Sequence, residues 1–392
     1  MNDRIFIEAS AESLFKHGEE LCGDKVEIVR NDDSVIVVLA DGLGSGVKAN
    51  ILASLTSKII ATMVDGGAEI VETVETVAST LPISKDRGVA YSTFTLLHIY
   101  HDGHATLVEY DNPAAVILRR GKPLELEKQE MVVGDKRILT CEFTLEAQDI
   151  VVLFSDGVVH AGVGKVLDLG WQWPNIRDYL VSSYTPECSA MGLTKRLLAA
   201  CDSLYMSSPG DDTTVVSVKV STPVPACIMV GPPVDSAKDE EVVKKLLACP
   251  GKKVVCGGTT SQIVSRVTGK RIDVALEYYN PSVPPMAKIE GIDLVTEGVL
   301  TLGCALDDMK EYCAAGSEMK DVLNINKRDG ASLLAKLLLE QCTQAHFLVG
   351  RAMNPAHQNP NLPLSLSLKL RLVEDIAECL RSLGKKATIE YN

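Results

Sequence analysis

Hydrophobic residues run in two different rhythms along this chain. Up to about residue 220, short apolar or alternating stretches follow one another: Ile5-Phe-Ile-Glu-Ala-Ser, Lys25-Val-Glu-Ile-Val29, Val35-Ile-Val-Val-Leu-Ala40, Ser92–Tyr100, Ala105–Tyr110, Ala115–Arg119, Asp149–Phe154 and Thr213–Val220. Their length and β-branched content predict strands. Asn31-Asp-Asp-Ser34 and His101-Asp-Gly-His104 read as hairpin turns between neighbouring runs. Helices are predicted over 46–64, 69–80 and 175–206. In the first of these, Val47, Ile51, Leu55, Ile59 and Met63 recur every fourth residue, as one apolar face would.

After Ser221-Thr-Pro-Val-Pro225 the rhythm changes to strand–helix alternation. Strands are predicted at Ala226–Val230, Lys253–Cys256, His346–Gly350 and Lys386–Glu390, with helices at 236–248, 259–268, 329–343 and 366–383. The Pro-containing linker is therefore the predicted boundary between residues 1–221 and a separate α/β domain over 222–392.

Composition narrows the class. With 392 residues, 46% hydrophobic and 23% charged, the chain is expected to form two or three globular domains. The net charge of −13 argues against a nucleic-acid partner and suits a protein that gathers carboxylates, some of them around cations. The apolar runs are shorter than a membrane span, and the first residues lack a signal-peptide core, so no membrane association and a cytoplasmic location are expected. The 11 cysteines form no Cys-x-x-Cys pair, which predicts reduced, mostly buried thiols.

The chemistry concentrates in four aspartates at predicted element ends. Asp24 opens a strand and Asp41 closes its hairpin partner, so the two fall near the same end. Asp156 closes another buried strand as Asp-Gly, repeating Asp41-Gly42, and Asp211 precedes the last strand in Gly210-Asp-Asp-Thr-Thr214. Carboxylates brought together repel unless a cation or proton separates them. Hard oxygen ligands of this kind suit Mg2+ or Mn2+. The plain alternative for Asp41-Gly-Leu-Gly-Ser-Gly46 is an ordinary strand–turn–helix connection.

The ordered set Gly23-Asp24, Asp41-Gly-Leu-Gly-Ser-Gly46, Ser155-Asp156-Gly157 and Gly210-Asp211-Asp-Thr-Thr214 resembles the PPM/PP2C metal-dependent serine/threonine phosphatases, within them the bacterial SpoIIE/RsbU branch. The resemblance covers roughly residues 1–220. It implies an α+β fold, a PP2C-like antiparallel β-sandwich flanked by helices. It also implies two Mn2+ or Mg2+ ions, with Asp41 bridging them, the Gly42 carbonyl and Asp24 completing one shell, and Asp156 and Asp211 holding the other. Asp41 and Asp156 are then the catalytic carboxylates, and Asp212 stands behind the ligands. A water activated between the ions would attack a phosphoserine or phosphothreonine of a bacterial signalling protein. Leu43 stands where the animal-type branch has a histidine. His160, four residues after Asp156, is read chiefly as a surface residue, and Lys48 and Asn50 as a solvated helix face. In the same branch the helix corresponding to 46–64 is thought to move and complete the metal site, so a partner, or a second copy in a homo-dimer, is expected to fix it.

The second domain resembles no named family. Val230-Gly-Pro-Pro, Cys256-Gly-Gly-Thr-Thr260 and Gly350-Arg351 are expected at one carboxyl edge of a parallel sheet, where ligands bind. Gly257, Gly258 and Thr259, with Arg351, form a candidate site for a small anion. The alternative is a Thr259-x-x-Gln262 capping box with no ligand. For the whole chain, the reading set against an enzyme is a phosphatase-like binding or sensor protein without catalysis.

Overall fold

The computed structural model describes residues 5–80, 92–133, 136–274, 283–314, 327–352 and 364–392. The chain divides into two compact units, residues 1–222 and 223–392.

In unit 1 the strands are β1 (Phe6–Leu14), β2 (Asp24–Arg30), β3 (Ser34–Gly42), β4 (Ser92–Tyr100), β5 (His104–Tyr110), β6 (Val116–Arg119), β7 (Lys122–Pro123), β8 (Gln129–Val133), β9 (Lys136–Thr144), β10 (Asp149–Phe154) and β11 (Thr213–Ser221). Helices are α1 (Gly46–Asp65), α2 (Ile70–Thr80), α3 (Asp156–Val159), α4 (Trp173–Ser183) and α5 (Ala190–Leu204). Two antiparallel sheets form, ordered β1-β11-β10-β6-β7 and β2-β3-β4-β5-β9-β8.

The uninterrupted apolar run of β3 follows from having both faces covered. Val35, Val37 and Leu39 enter the layer between the sheets, beside Val151 and Leu153 of β10 and Val216 and Val218 of β11. Ile36, Val38 and Ala40 face Ala53, Ile60 and Ala61 of α1. On the other sheet, Ile150, Val152 and Phe154 pack on Ile176 of α4 and Leu193 and Leu197 of α5. Unit 1 is therefore helix, sheet, sheet, helix, as expected of a PP2C-like sandwich.

Two expectations within it are corrected. The first half of the every-fourth-residue stripe of α1 does not face the core: Val47, Ile51 and Leu55 are 62, 53 and 48% exposed, while Ile59 is partly buried against it. The buried face carries Ala49, Ala53, Thr56, Ser57 and Ala61 interleaved with Leu52, Ile60 and Val64, and the small side chains among them let α1 lie close on β3. Among the described helices α1 alone is long and apolar enough to cross a membrane, yet that face is buried in the fold. The predicted helix 175–206 is two helices. Pro186 disfavours helical backbone at Thr185, and Ser189 starts α5 by accepting from the Gly192 N–H at 3.0 Å.

Unit 2 holds β12 (Pro225–Val230), β13 (Lys252–Cys256), β14 (Asp273–Val274), β15 (Ala287–Lys288), β16 (Leu294–Thr296), β17 (Gln344–Val349) and β18 (Lys386–Tyr391). The sheet order is β14-β15-β16-β13-β12-β17-β18, with β16 through β18 parallel and β14 and β15 antiparallel at one edge. Counting only the parallel strands along the chain, the order is third, second, first, fourth, fifth, the doubly wound arrangement. Helices include α6 (Asp239–Leu247), α7 (Gly258–Thr268) and α8 (Val299–Cys313), then Gly330–Lys336 and Leu364–Ser382. Strand β16 and helix α8 were not expected from the sequence. β16 has only three residues, and the signal for α8 lay in Leu302, Ala305, Leu306 and Met309, its buried face. The capping box at Thr259 does not form: Gly257 is the N-cap of α7, with no side-chain cap.

Candidate active site

The four aspartates come from both sheets. Asp24 begins β2 and pairs across the ladder with Asp41 near the end of β3. Asp156 opens α3 directly after β10, and Asp211 precedes β11. All four line one open cavity of about 380 Å3, with Lys16, the Gly42–Ser45 turn, Ser92, Thr93 and Asp212.

The glycine of each Asp-Gly pair has a steric cause. A Cβ on Gly42 would stand 2.1 Å from the Ala49 carbonyl oxygen, where the first turn of α1 crosses β3. A Cβ on Gly157 would stand 2.1 Å from the Asp212 carbonyl oxygen. Each glycine admits a neighbouring backbone segment, and so fixes the approach of α1 and of the Asp211–Asp212 segment to the cavity.

Asp212 is the brace. Its carboxylate accepts from the Lys16 N–H at 3.0 Å and the Gly23 N–H at 2.8 Å, and it is 4% exposed. It thus ties the start of β11 to the corner that presents Asp24. Asp212→Asn keeps one acceptor but turns an NH2 toward a backbone donor. The expected cost is about 1–3 kcal/mol, read as a lowered melting temperature of unit 1. Asn50 is a second tie and not a solvated residue: its Nδ2 donates to the Cys22 carbonyl at 2.8 Å, joining α1 to the same corner. Lys48 is exposed, as expected.

Electrostatically the cavity is crowded. Burial raises the Asp41 carboxyl above its usual range, and the charges of Asp24, Asp156 and Asp211 add to the effect. Asp24 is raised first by burial, with the Thr214 and Ser155 hydroxyls opposing. Asp156 is raised by burial and by Asp211. The buried Oδ2 of Asp24 has no hydrogen-bond partner. An acceptor of that kind, among four carboxylates, fits a hard divalent cation in donor type and charge. Among the described residues, no three Asp, Glu, His or Cys side chains are gathered tightly enough to enclose one ion as they stand. The carboxylates surround the cavity without closing into a coordination shell.

Lys16 was not found from the sequence. Its Nζ lies 3.8 Å from Asp211. It reaches the cavity only because the chain after β1 folds back under Asp212, a tertiary fact with no local signal. His160 is 52% exposed, with Nδ1 3.8 Å from Asp156, and does not line the cavity. In unit 2, Gly257, Gly258 and Thr259 sit together at the start of α7, but Arg351 is not with them. Its N–H donates to the Asn392 carbonyl at 2.9 Å, past β17 on the side of β18.

Residues 31–221 match the sequence model of the family Stage II sporulation protein E (SpoIIE). No protein of the curated set matches the chain. Among solved structures, the SpoIIE phosphatase domain with a fragment of its regulatory domain, from Bacillus subtilis, is 17% identical with a TM-score of 0.48. It aligns over 56% of this chain and 64% of that one. The RsbU and RsbW domains of a Mycobacterium tuberculosis protein are 16% identical, over 62% of this chain and 68% of that one, TM-score 0.46. RsbX in complex with magnesium is 20% identical, over 56% of this chain and 99% of that one, TM-score 0.41.

Proposed function

Unit 1 is a SpoIIE-type domain of the PPM/PP2C phosphatases, and from that premise we propose that the protein is a metal-dependent phosphatase acting on phosphoserine or phosphothreonine of a signalling protein. The observation that carries this reading is the convergence of Asp24, Asp41, Asp156 and Asp211, from two sheets, on one open cavity. These carboxylates and the Gly42 carbonyl would hold two Mn2+ or Mg2+ ions. When bound, such ions neutralise phosphoryl oxygens and make water a nucleophile at neutral pH.

The chain's own residues do the positioning. Asp212 holds the Asp24 corner by two backbone N–H groups, and Asn50 holds α1 to it. Among the described residues that line this cavity Lys16 is the basic side chain, placed beside Asp211 where phosphoryl oxygens would enter. Leu43, at the turn, offers no proton to a leaving serine oxygen.

Release of p-nitrophenolate from p-nitrophenyl phosphate tests this directly. Turnover that needs Mn2+ and is lost with a chelator is expected. Mn2+ binding without hydrolysis, on this substrate and on phosphopeptides, would instead favour a phosphatase-like binding protein.

The open arrangement of the carboxylates favours a site completed by α1. Gly44 and Gly46 have φ of +103° and +69°, and the exposed stripe Val47, Ile51 and Leu55 offers a partner or a second copy a place to fix the helix. Activity of the isolated protein is therefore expected to be low. Gly44→Ala meets no atom within 4 Å but strains the turn by about 1–2 kcal/mol. It is expected to raise the Mn2+ concentration needed for half-maximal rate several-fold while leaving the fold in place. Overlapping Mn2+ titrations of parent and variant would remove the switch from the reading.

A further inference from the structure

In a doubly wound sheet, ligands bind beyond the carboxyl ends of the strands where the order reverses. In unit 2 that point lies between β12 and β17, and the chain itself fills it. A Cβ on Gly350 would meet the Pro232 carbonyl oxygen at 2.0 Å and the Gly231 carbonyl oxygen at 2.5 Å. Lys369, 8% exposed, donates Nζ to the Gly350 carbonyl, and the Ala352 N–H donates to Pro232 at 3.2 Å.

The next pair of strand ends is arranged differently. Gly257 and Gly298 are the N-caps of α7 and α8, and neither helix has a side-chain cap. The Gly257 N–H donates to the Thr296 carbonyl at 2.9 Å, drawing the ends of β13 and β16 together. A Cβ on Gly298 would stand 3.6 Å from the Gly257 Cα, so the two helices begin side by side. Gly257 has φ +115° and ψ 137°, a conformation only glycine holds without strain.

The third residue of each helix is a threonine. Thr260 is 1% and Thr301 0% exposed, and both hydroxyls lack a hydrogen-bond partner. The Thr260 Oγ1 is turned back over the start of its helix, 3.0 Å from where a Cβ on Gly257 would stand. A buried hydroxyl without a partner is costly, and two at matched positions beside two uncapped helix starts share one explanation.

We propose that the paired N-termini of α7 and α8 bind the phosphate group of a small soluble molecule. The first N–H groups of a helix have no partner within it, and the helix dipole favours negative charge at that end. Two such ends at one place, with the Thr260 hydroxyl turned toward them and the unpartnered Thr301 hydroxyl one turn into the second helix, suit a group that brings two charges and several acceptor oxygens. Gly258 and Thr259 are exposed, so the mouth is reached from solvent. Thr260, Thr301 and Gly298 take the part that the sequence reading gave to Thr259 and Arg351. Glu297 is the acid at this mouth. Its carboxylate accepts from the Gly298 N–H at 2.7 Å, and because it is exposed it competes with an entering anion.

Calorimetric titration of the full chain with inorganic phosphate, at constant ionic strength and with a chelator present, tests the site apart from unit 1. Saturable binding is expected, tightened several-fold by Glu297→Gln. Thr260→Val with Thr301→Val is expected to weaken binding at least about tenfold, since hydrogen bonds to charged groups are lost. The melting temperature should hold or rise, because each substitution removes an unpaired hydroxyl and keeps its volume. Absence of binding at millimolar phosphate, or affinity indifferent to Glu297→Gln, overturns the proposal. Should the double variant fold poorly, Glu297→Gln decides alone, as an exposed residue outside the core.

Discussion

Asp41→Asn is expected to abolish Mn2+-dependent hydrolysis while leaving metal-free unit 1 at least as stable as the parent. The two effects have one origin. In the absence of cations, Asp41 is a partly buried carboxylate; its desolvation, and after it the charges of Asp24, Asp156 and Asp211, disfavour its charged form. Asparagine has nearly the same shape and no charge, so the repulsion falls. With cations, the same charge becomes a ligand. Losing it forfeits several kcal/mol of charge stabilisation, on the order of a thousand-fold or more in rate. Two measurements check this. Turnover should fall to background at every Mn2+ concentration, and the rise in melting temperature that Mn2+ gives the parent should shrink in the variant. A variant with near-parental turnover would mean that Asp41 is not a metal ligand. A variant that unfolds without metal would mean that it is a structural carboxylate like Asp212.

The second large effect is expected from Gly42→Ala. The added methyl falls 2.1 Å from the Ala49 oxygen, 2.7 Å from its carbonyl carbon and 2.9 Å from its Cα. These are backbone atoms in the first turns of a long helix, so no side chain can swing away. Helix α1 must lift from β3, loosening Ala53 and Ile60 from Val38 and stretching the Asn50–Cys22 tie. Overpacking of this severity costs about 3 kcal/mol or more. In a unit of this size that is a fall of roughly 10 °C in the melting temperature. Mn2+-dependent activity should fall with it, because α1 carries the turn that lines the cavity. A melt within a degree or two of the parent would show that α1 does not sit on Gly42 in solution. Gly44→Ala is the control for the steric effect on the melt alone: its methyl stands in open space, so only the smaller backbone strain is expected there.

What could be read in advance follows from where the information lies. The β2–β3 hairpin was legible because its turn and both runs are contiguous, and its register put Asp24 opposite Asp41. The repeat of a buried strand closing on Asp-Gly at Asp41 and Asp156 was legible for the same reason. The outward face of α1 was not. Periodicity says that a stripe exists, but its direction depends on β3, which accepts Ala49, Ala53 and Ala61 more closely than it would Ile51 and Leu55. Lys16 and the ties made by Asp212 and Asn50 join residues far apart in the chain, and no window of sequence contains both partners. In unit 2 the Gly-Gly-Thr-Thr stretch was visible, but its meaning depends on Gly298 and Thr301, in a strand–helix unit that went unrecognised because its strand is three residues long.

The pairing of β1 with β11 has a consequence for how the protein is made. Phe6 lies opposite Ser221 and Leu14 opposite Thr213, so the first described strand of unit 1 waits for the last. Until residue 221 has left the ribosome, β1 lacks its neighbour in that sheet and β10 has only β6 beside it, and Asp156 is available before Asp211. Contacts between residues so far apart are slow to form, because the long intervening loop must be closed first. Unit 1 should therefore complete its cavity in one late step of translation, while unit 2 is only beginning to emerge. A ribosome-bound chain that exposes residues up to about 200 should bind Mn2+ poorly and be readily proteolysed, and extending the exposed length past β11 should change both together.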